Sequence, residues 1–303
     1  MELEFKPVVA GDIDRLRPFY GLRPNKTCDS VFLDSFLWKD YYHVQCAVSE
    51  GRAVLWLMEK DGQVSTAMPL CREEDLPYFF QQMVDYFSGV LHKPFYISLA
   101  DEEAVQCLNL DPALFEVEEQ VDLKDYLYSG EELRKLEGKK FVKKRNHLNG
   151  FKRTYEGRYE YRRLCCSDRH EVWQFMERWR QHKEEVGAME LSLDYEVAGI
   201  HDILKNCASL YVRMAGVYID GQLEAFTIGS LNVRENMAVI HIEKANPEIR
   251  GLYQFINQQF LINEFPEAEL VNREDDVGME GLRKAKMSYN PIGFARKYMV
   301  RER

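Results

Sequence analysis

Apolar positions along this chain recur at two periods, and the alternation between them orders the molecule before any single residue stands out. After Asp168 and Glu171, spaced as a capping box, Val172, Phe175, Met176, Trp179, Lys183 and Val186 keep helical spacing and predict a helix of about five turns. A shorter helix is expected over residues 194–207. Strand-like runs at 210–219 and 222–231 flank Asp220-Gly221, a hairpin signal. A third strand is expected at 237–244, then a helix at 251–265 carrying Leu252, Phe255, Ile256, Gln259 and Ile262, then a strand at 268–272. The first half follows a similar order: a helix at 29–39, strands at 43–48, 53–59 and 63–70 with Asp61-Gly62 between the last two, a helix at 75–87 and a strand at 94–99. The similarity is one of order, with no residue-by-residue repeat visible.

Length and composition agree with two folded units. The chain has 303 residues, of which 46% are hydrophobic, 13% aromatic and 30% charged. A size of about 150 residues per domain makes two the natural number, and the composition excludes a disordered or collagen-like chain. No apolar run approaches the roughly 18 to 20 residues that span a bilayer, and Glu4 and Lys6 do not suit a cleaved leader, so a cytoplasmic protein without a transmembrane segment is expected. Seven cysteines, at 28, 46, 71, 107, 165, 166 and 207, form no CxxC pair. They read as reduced, mostly buried thiols, with Cys165-Cys166 a core pair in a strand. The histidines show no HExxH-type spacing, so no metal is expected.

Charge changes the picture at one place. The formal net charge is -10, yet residues 134–163 hold twelve Lys or Arg against three Glu. Lys139, Lys140, Lys143, Lys144 and Arg145 are the densest part. If residues 131–155 form one helix, the stripe Leu133, Leu136, Lys140, Lys144, His147, Leu148, Phe151, Tyr155 is cationic in its middle and suits a dry core poorly. The run is either a solvated face or a site for an anionic partner: tRNA, a lipid headgroup or a carrier pyrophosphate. The resulting division is residues 1–130, a basic linking helix at 131–158, and residues 159–303.

Strands followed by a helix and a parallel strand are the core plan of the GNAT acyltransferase fold, in which two neighbouring strands splay and leave a cleft. A carrier phosphate can then sit on the free N–H groups that open the following helix. Here that helix begins near Arg250, Gly251, Leu252 and Tyr253, with Arg250 as cation and Gly251 for close backbone approach, unless the segment is a plain loop with a capping glycine.

Three longer strings carry a resemblance: HIEKANPEIRGLYQFINQQF, VNREDDVGMEGLRKAKMSYNP and KKFVKKRNHLNGF. Nearly the whole chain resembles the phosphatidylglycerol lysyltransferase C-terminal domain-like family. The resemblance implies a tandem GNAT fold, similar in architecture to the Fem peptidyltransferases, which take an amino acid from aminoacyl-tRNA. Gly281, Leu282, Arg283, Lys286, Tyr289, Asn290 and Pro291 are similar to the closing segment of relatives that add an amino acid to a lipid headgroup. The multi-span membrane portion that accompanies those relatives is missing from this sequence.

Acyl transfer needs a donor anchor, a proton acceptor and a charge facing the developing oxyanion. Period-two alternation places His241 and Glu243 on one face of the third strand, with Glu243 as general base and His241 beside it; the alternative is that they meet cations from a neighbouring element. Lys286 suits a phosphate or the oxyanion, or is a surface lysine. Asp275 or Asp276 is expected to cap a helix starting near Met279. The function expected is transfer of an aminoacyl group from aminoacyl-tRNA, or an acyl group from acyl-CoA, to an amine or hydroxyl, with no tightly bound cofactor. The competing function is a non-catalytic module that binds RNA or an anionic surface through residues 139–153. DNA binding is not expected, and peripheral contact with a membrane stays open.

Overall fold

The computed structural model describes residues 3–185 and 192–303; the expected helix end at Val186 lies outside the described residues. In the first half, β1 (Lys6–Pro7), α1 (Ile13–Tyr20) and α2 (Phe32–Leu37) precede β2 (Gln45–Ser49), β3 (Ala53–Lys60) and β4 (Gln63–Ser65). These four strands form a sheet in the order β1-β2-β3-β4, antiparallel throughout. The β3–β4 turn has positive φ at both Asp61 (52°) and Gly62 (79°), the backbone that a two-residue hairpin requires and that Asp-Gly accepts readily. Then come α3 (Leu76–Tyr86), β5 (Tyr96–Asp101), α4 (Glu102–Leu108), β6 (Phe115–Glu119), β7 (Asp125–Ser129), α5 (Gly130–Lys135) and α6 (Val142–Thr154).

The second half follows the expected order closely: β8 (Tyr159–Arg163), α7 (Arg169–Glu185), α8 (Ser192–Asn206), β9 (Arg213–Ile219), β10 (Gln222–Asn232), β11 (Met237–Ala245), α9 (Leu252–Glu264) and β12 (Leu270–Asn272), then α10 (Glu280–Met287), β13 (Gly293–Ala295) and β14 (Lys297–Glu302). The β9–β10 turn at Asp220-Gly221 again has positive φ at both residues.

Each half lends a strand to the other. β7 lies between β12 and β13 in the seven-stranded sheet β13-β7-β12-β11-β10-β9-β8, while β14, at the end of the chain, lies between β5 and β6. The apolar interior crosses between the halves as well. One core unites Phe32, Phe36 and Trp56 with Phe175, Ile203, Phe226 and Ile242. Full burial of side chains of this size is worth roughly 1.5–3 kcal/mol each, so this shared core fixes how the halves meet.

Two expectations are corrected. Residues 131–155 do not form one helix: Leu136 (φ 51°) and Gly138 (φ 80°) leave the right-handed region, and α5 and α6 are separate elements. The left-handed residue closes α5, and the break buries Leu136 beside Phe141. Nor are all seven cysteines reduced. Cys166 and Cys207 are joined by a disulfide, because a short 3-10 turn before α7 brings Cys166 to the end of α8 at a Cα–Cα distance of 5.8 Å. Cys165 is exposed rather than part of a core strand, while Cys28, Cys46 and Cys71 are buried free thiols.

Candidate active site

β11 and β12 run parallel and pair only at Met237–Leu270, Ala238–Val271 and Val239–Asn272. Beyond that point β12 ends, whereas β11 continues to Ala245 along β10. Pairing between the two strands therefore stops there, and the seam beyond it, the candidate cleft, is covered by α9 and by the loop that leaves β12.

A bulge decides what faces this cleft. Across β10, Ile228 pairs with Ile242 and Gly229 with Ile240, so His241 is an extra residue that resets the alternation. Ala238, Ile240 and Ala245 pack toward α9, against Phe260 and Leu261 or Phe255, whereas Ile242 joins the opposite core with Phe36. Glu243 emerges on the α9 side and His241 on the other, so the expected shared face of His241 and Glu243 does not exist. Strict alternation fails wherever a strand carries one residue more than its partner.

Glu243 meets a cation and an amide. Arg273, the first residue after β12, donates from Nη2 to its Oε1 at 2.7 Å, and Asn257 of α9 donates from Nδ2 to its Oε2 at 2.8 Å. The ion-paired alternative is thus the observed one, with the partner coming from the loop beyond β12. Burial works against the Arg273 guanidinium, but Glu243 and the nearby Tyr289 and Tyr128 hold it above its ordinary value. Its carbon lies 4.7 Å from the Tyr289 ring centre, and its Nη1 is buried and, among the described residues, meets no acceptor at hydrogen-bonding geometry.

The basic run approaches the cleft through one residue. Lys144 of α6 stands 3.7 Å from the Tyr289 ring centre and donates to Ser288 Oγ at 2.6 Å. Burial, then the Arg273 charge, pull its ammonium down to about 8. The other cations are placed differently. Lys140 is paired with Glu132 at 2.7 Å, and Arg145 donates to the carbonyls of Leu136 and Gly138, stitching the break between α5 and α6. Lys139 and Lys143 are exposed and make no ion pair among the described residues.

At the start of α9, Arg250 is exposed, Gly251 and Leu252 are buried and Tyr253 is half-buried. Gly251 has φ 89°, and a Cβ there would stand 2.2 Å from the His147 carbonyl oxygen. The close approach that requires this glycine is to α6 itself. Lys286 is buried rather than superficial: its Nζ donates to the Arg273 carbonyl at 2.5 Å and to the Asp275 carbonyl, tying down the loop after β12. Burial lowers its ammonium, and Glu274 partly restores it. Neither Asp275 nor Asp276 caps α10, whose cap residue is Met279. Asp276 accepts from Arg283 and from the Tyr126 hydroxyl instead.

On the far side of β11, His241 links Ser230 Oγ (2.8 Å to Nε2) to Glu274 Oε1 (2.9 Å to Nδ1), and burial pushes its ring down to about 3. It faces a buried charged centre that the sequence did not disclose. There Lys297 Nζ lies 2.8 Å from Asp125 Oδ1 and 3.2 Å from Cys28 Sγ, and potential ligand atoms of Cys28, Asp34 and Glu274 lie within 4.8 Å of one another. These residues come from sequence positions up to 269 apart and meet only because β7 and β14 exchange places. No local spacing carries that signal. Arg273 was visible as the basic residue of the loop after β12; its reach to Glu243 was not.

Comparisons with known proteins agree with this architecture. A conserved protein of unknown function from Bacteroides thetaiotaomicron VPI-5482 is similar at 27% identity and a TM-score of 0.90, covering 100% of both chains. The C-terminal domain (DUF2156) of an Agrobacterium fabrum protein assigned as a lysylphosphatidylglycerol synthetase is similar at 17% identity and 0.69, over 96% of this chain and 91% of that one. FemX is similar at 11% and 0.62, over 99% and 96%. The α/β fold is therefore tandem GNAT-like, as expected. An uncharacterised protein of Mycoplasmoides gallisepticum is 28% identical over 178 residues, 58% of this chain and 56% of that protein, so the match spans about half of that relative. Among the described residues, no helix is long and apolar enough to cross a membrane. A profile of the family described as phosphatidylglycerol lysyltransferase, C-terminal, matches residues 21–301, and this chain belongs to that family.

Proposed function

We propose that the chain is a transferase that moves an aminoacyl group from aminoacyl-tRNA, or an acyl group from acyl-CoA, to an amine or hydroxyl acceptor in the cleft between β11 and β12. The observation that carries this reading is the end of β11–β12 pairing at Val239–Asn272 beside a buried polar group made by Glu243, Arg273, Asn257 and Tyr289. Membership of an aminoacyl-transfer family supports it.

Lys144, with Lys139, Lys143 and Arg250 further out, attracts the phosphates of the donor. Arg273 Nη1, buried and without an acceptor among the described residues, supplies the donor for the developing oxyanion, a role for which Lys286 is too tightly held by loop carbonyls. Glu243 has a lone pair left on each oxygen after Asn257 and Arg273 are served, and it accepts a hydrogen bond from the attacking group. His241 and Lys286 act as positioning residues for Glu274 and for the loop that carries Arg273.

The test is to incubate the protein at low salt with charged tRNAs and, separately, with acyl-CoA, and to follow loss of the ester or thioester. Loss that requires Arg273 and Lys144 supports the reading; no engagement of either donor removes it. A second reading, an RNA- or anion-binding module, is favoured by the exposed Lys139 and Lys143, which make no ion pair among the described residues. It predicts binding that weakens steeply with salt and survives Glu243→Gln without any transfer.

A further inference from the structure

Three cysteines outside the cleft lie at graded depth where α7 begins and α8 ends. Cys165 is an exposed free thiol. Cys166 is half-buried and packs against the core shared by the two halves, and Cys207, its disulfide partner, is 9% exposed and part of that core. The turn that carries the first two is fixed by its own side chains: the Cys165 amide donates to Asp168 Oδ2 at 2.7 Å, and Cys165 Sγ lies 2.9 Å from Ser167 Oγ, a hydroxyl able to donate to a thiolate. The Cα atoms of Cys165 and Cys166, as chain neighbours, are about 3.8 Å apart. A reagent arriving from solvent therefore meets Cys165 before Cys166, and Cys166 before Cys207.

The disulfide ties the turn before α7 to the end of α8, across a sequence separation of 41, and α8 bears on both halves. Against the first half, Asp202 pairs with Lys39 at 2.6 Å, and a Cβ on Gly199 would stand 2.2 Å from the Leu37 carbonyl oxygen. Against the second, Glu196 accepts from Lys244 at 2.8 Å, and Lys244 follows Glu243 in β11. A cross-link at the end of α8 restricts the ways in which this helix can leave its seat, and opening the bond lifts that restriction. We propose that Cys165, Cys166 and Cys207 form a thiol–disulfide exchange site that takes small disulfides and thiols at Cys165 and passes the exchange inward to the bond that braces α8.

In the oxidising direction Cys165 attacks one sulfur of a small disulfide, RSSR; that S–S bond breaks, and the first RS group leaves with the Cys165 proton. Cys166 then attacks the R-bearing sulfur of the mixed disulfide, and Cys165 departs with the Cys166 proton. Cys207 attacks Cys166 Sγ, and the second RS group leaves with the Cys207 proton. Two electrons pass from the protein to the small disulfide, which ends as two RSH, while the protein gains one S–S bond. Excess thiol runs the same steps backwards.

The experiment starts from the reduced full chain, adds oxidised glutathione, and follows the Cys166–Cys207 bond by alkylation and peptide mass spectrometry. The bond should form at least about tenfold faster in the unmodified chain than in Cys165→Ser, and excess reduced glutathione should reopen it while circular dichroism stays that of the folded protein. Amide hydrogen exchange across residues 192–206 should be faster with the bond open. Equal rates in the two chains, a bond that opens only on unfolding, or exchange in α8 that ignores the bond overturns the proposal. If Cys165→Ser does not fold, the unmodified chain alkylated at its exposed thiols while the bond is closed, and then reduced, takes its place in the rate comparison. No readout uses an acyl donor, so the outcome is independent of the transfer reading.

Discussion

The cleft of the second half and a cavity of the first half, lined by Trp38, Tyr42, Trp56, Asp29 and Asp34, are both walled by aromatic side chains around buried charge, but the charge is arranged in opposite ways. In the cleft, Glu243 is matched by Arg273 and Asn257, and the structure pays no penalty for an isolated ion. In the cavity, Asp34 adjoins Asp29 and Glu274 and makes no ion pair among the described residues. A matched buried pair resists removal of either member, whereas a buried acid among acids lowers the stability of the fold when it ionises. The difference separates a charge that the fold has matched from one that burial holds back.

The contrast breaks most visibly at Arg273. Arg273→Met should leave Glu243 buried without its partner and cost about 4 kcal/mol in urea unfolding, and Glu243→Gln,Arg273→Met together should recover a good part of that loss. A single substitution costing under about 1 kcal/mol would mean the pair is solvated and is no floor for a cleft. Next in size is Gly251→Ala. The positive φ and the 2.2 Å approach to His147 predict a loss of about 3 kcal/mol, read in the same assay, together with displacement of α9 from α6.

Lys144→Ala should weaken donor binding by about tenfold and lower the slope of log affinity against log salt by about one, whereas Lys139→Ala should change affinity less. Because the Lys144 ammonium is pulled down to about 8, it is charged below that pH and neutral above it. Donor affinity should therefore fall between pH 7 and 9, and Lys144→Arg, which stays charged, should flatten the profile.

The smallest effect is expected at Asp34, where the sign is the informative part. Burial raises its carboxyl well above the usual range, with the Asp29 charge adding to it. The unfolded chain therefore ionises first as pH rises, and Asp34 lowers stability above the unfolded carboxyl range. Asp34→Asn should raise stability at pH 7 by on the order of 1 kcal/mol, with the gain vanishing near pH 3. A loss of stability at pH 7 would mean that the fold matches the Asp34 charge after all.

What the sequence disclosed and what it withheld divide along physical lines. The Asp-Gly turns, α9 and the β9–β10–β11 order are set by local period and turn chemistry, and they appear where the pattern places them. The basic run was visible as charge, but its sharing among Glu132, carbonyl oxygens and the Tyr289 ring depends on a helix break at Leu136 that a helical stripe conceals. The bulge at His241 turned a correct strand into a wrong face for one residue, because alternation counts residues and a bulge adds one. The charged centre around Lys297 and the cavity acids were out of reach, since they depend on β14 and β7 entering distant sheets.

The account stands most directly on where a donor sits. A structure of the protein with a non-hydrolysable 3′-aminoacylamino-adenosine should place the aminoacyl carbonyl in the β11/β12 cleft beside Arg273, with the nucleotide toward Lys144. Density for the analogue elsewhere on the chain, with that cleft empty, would contradict the account.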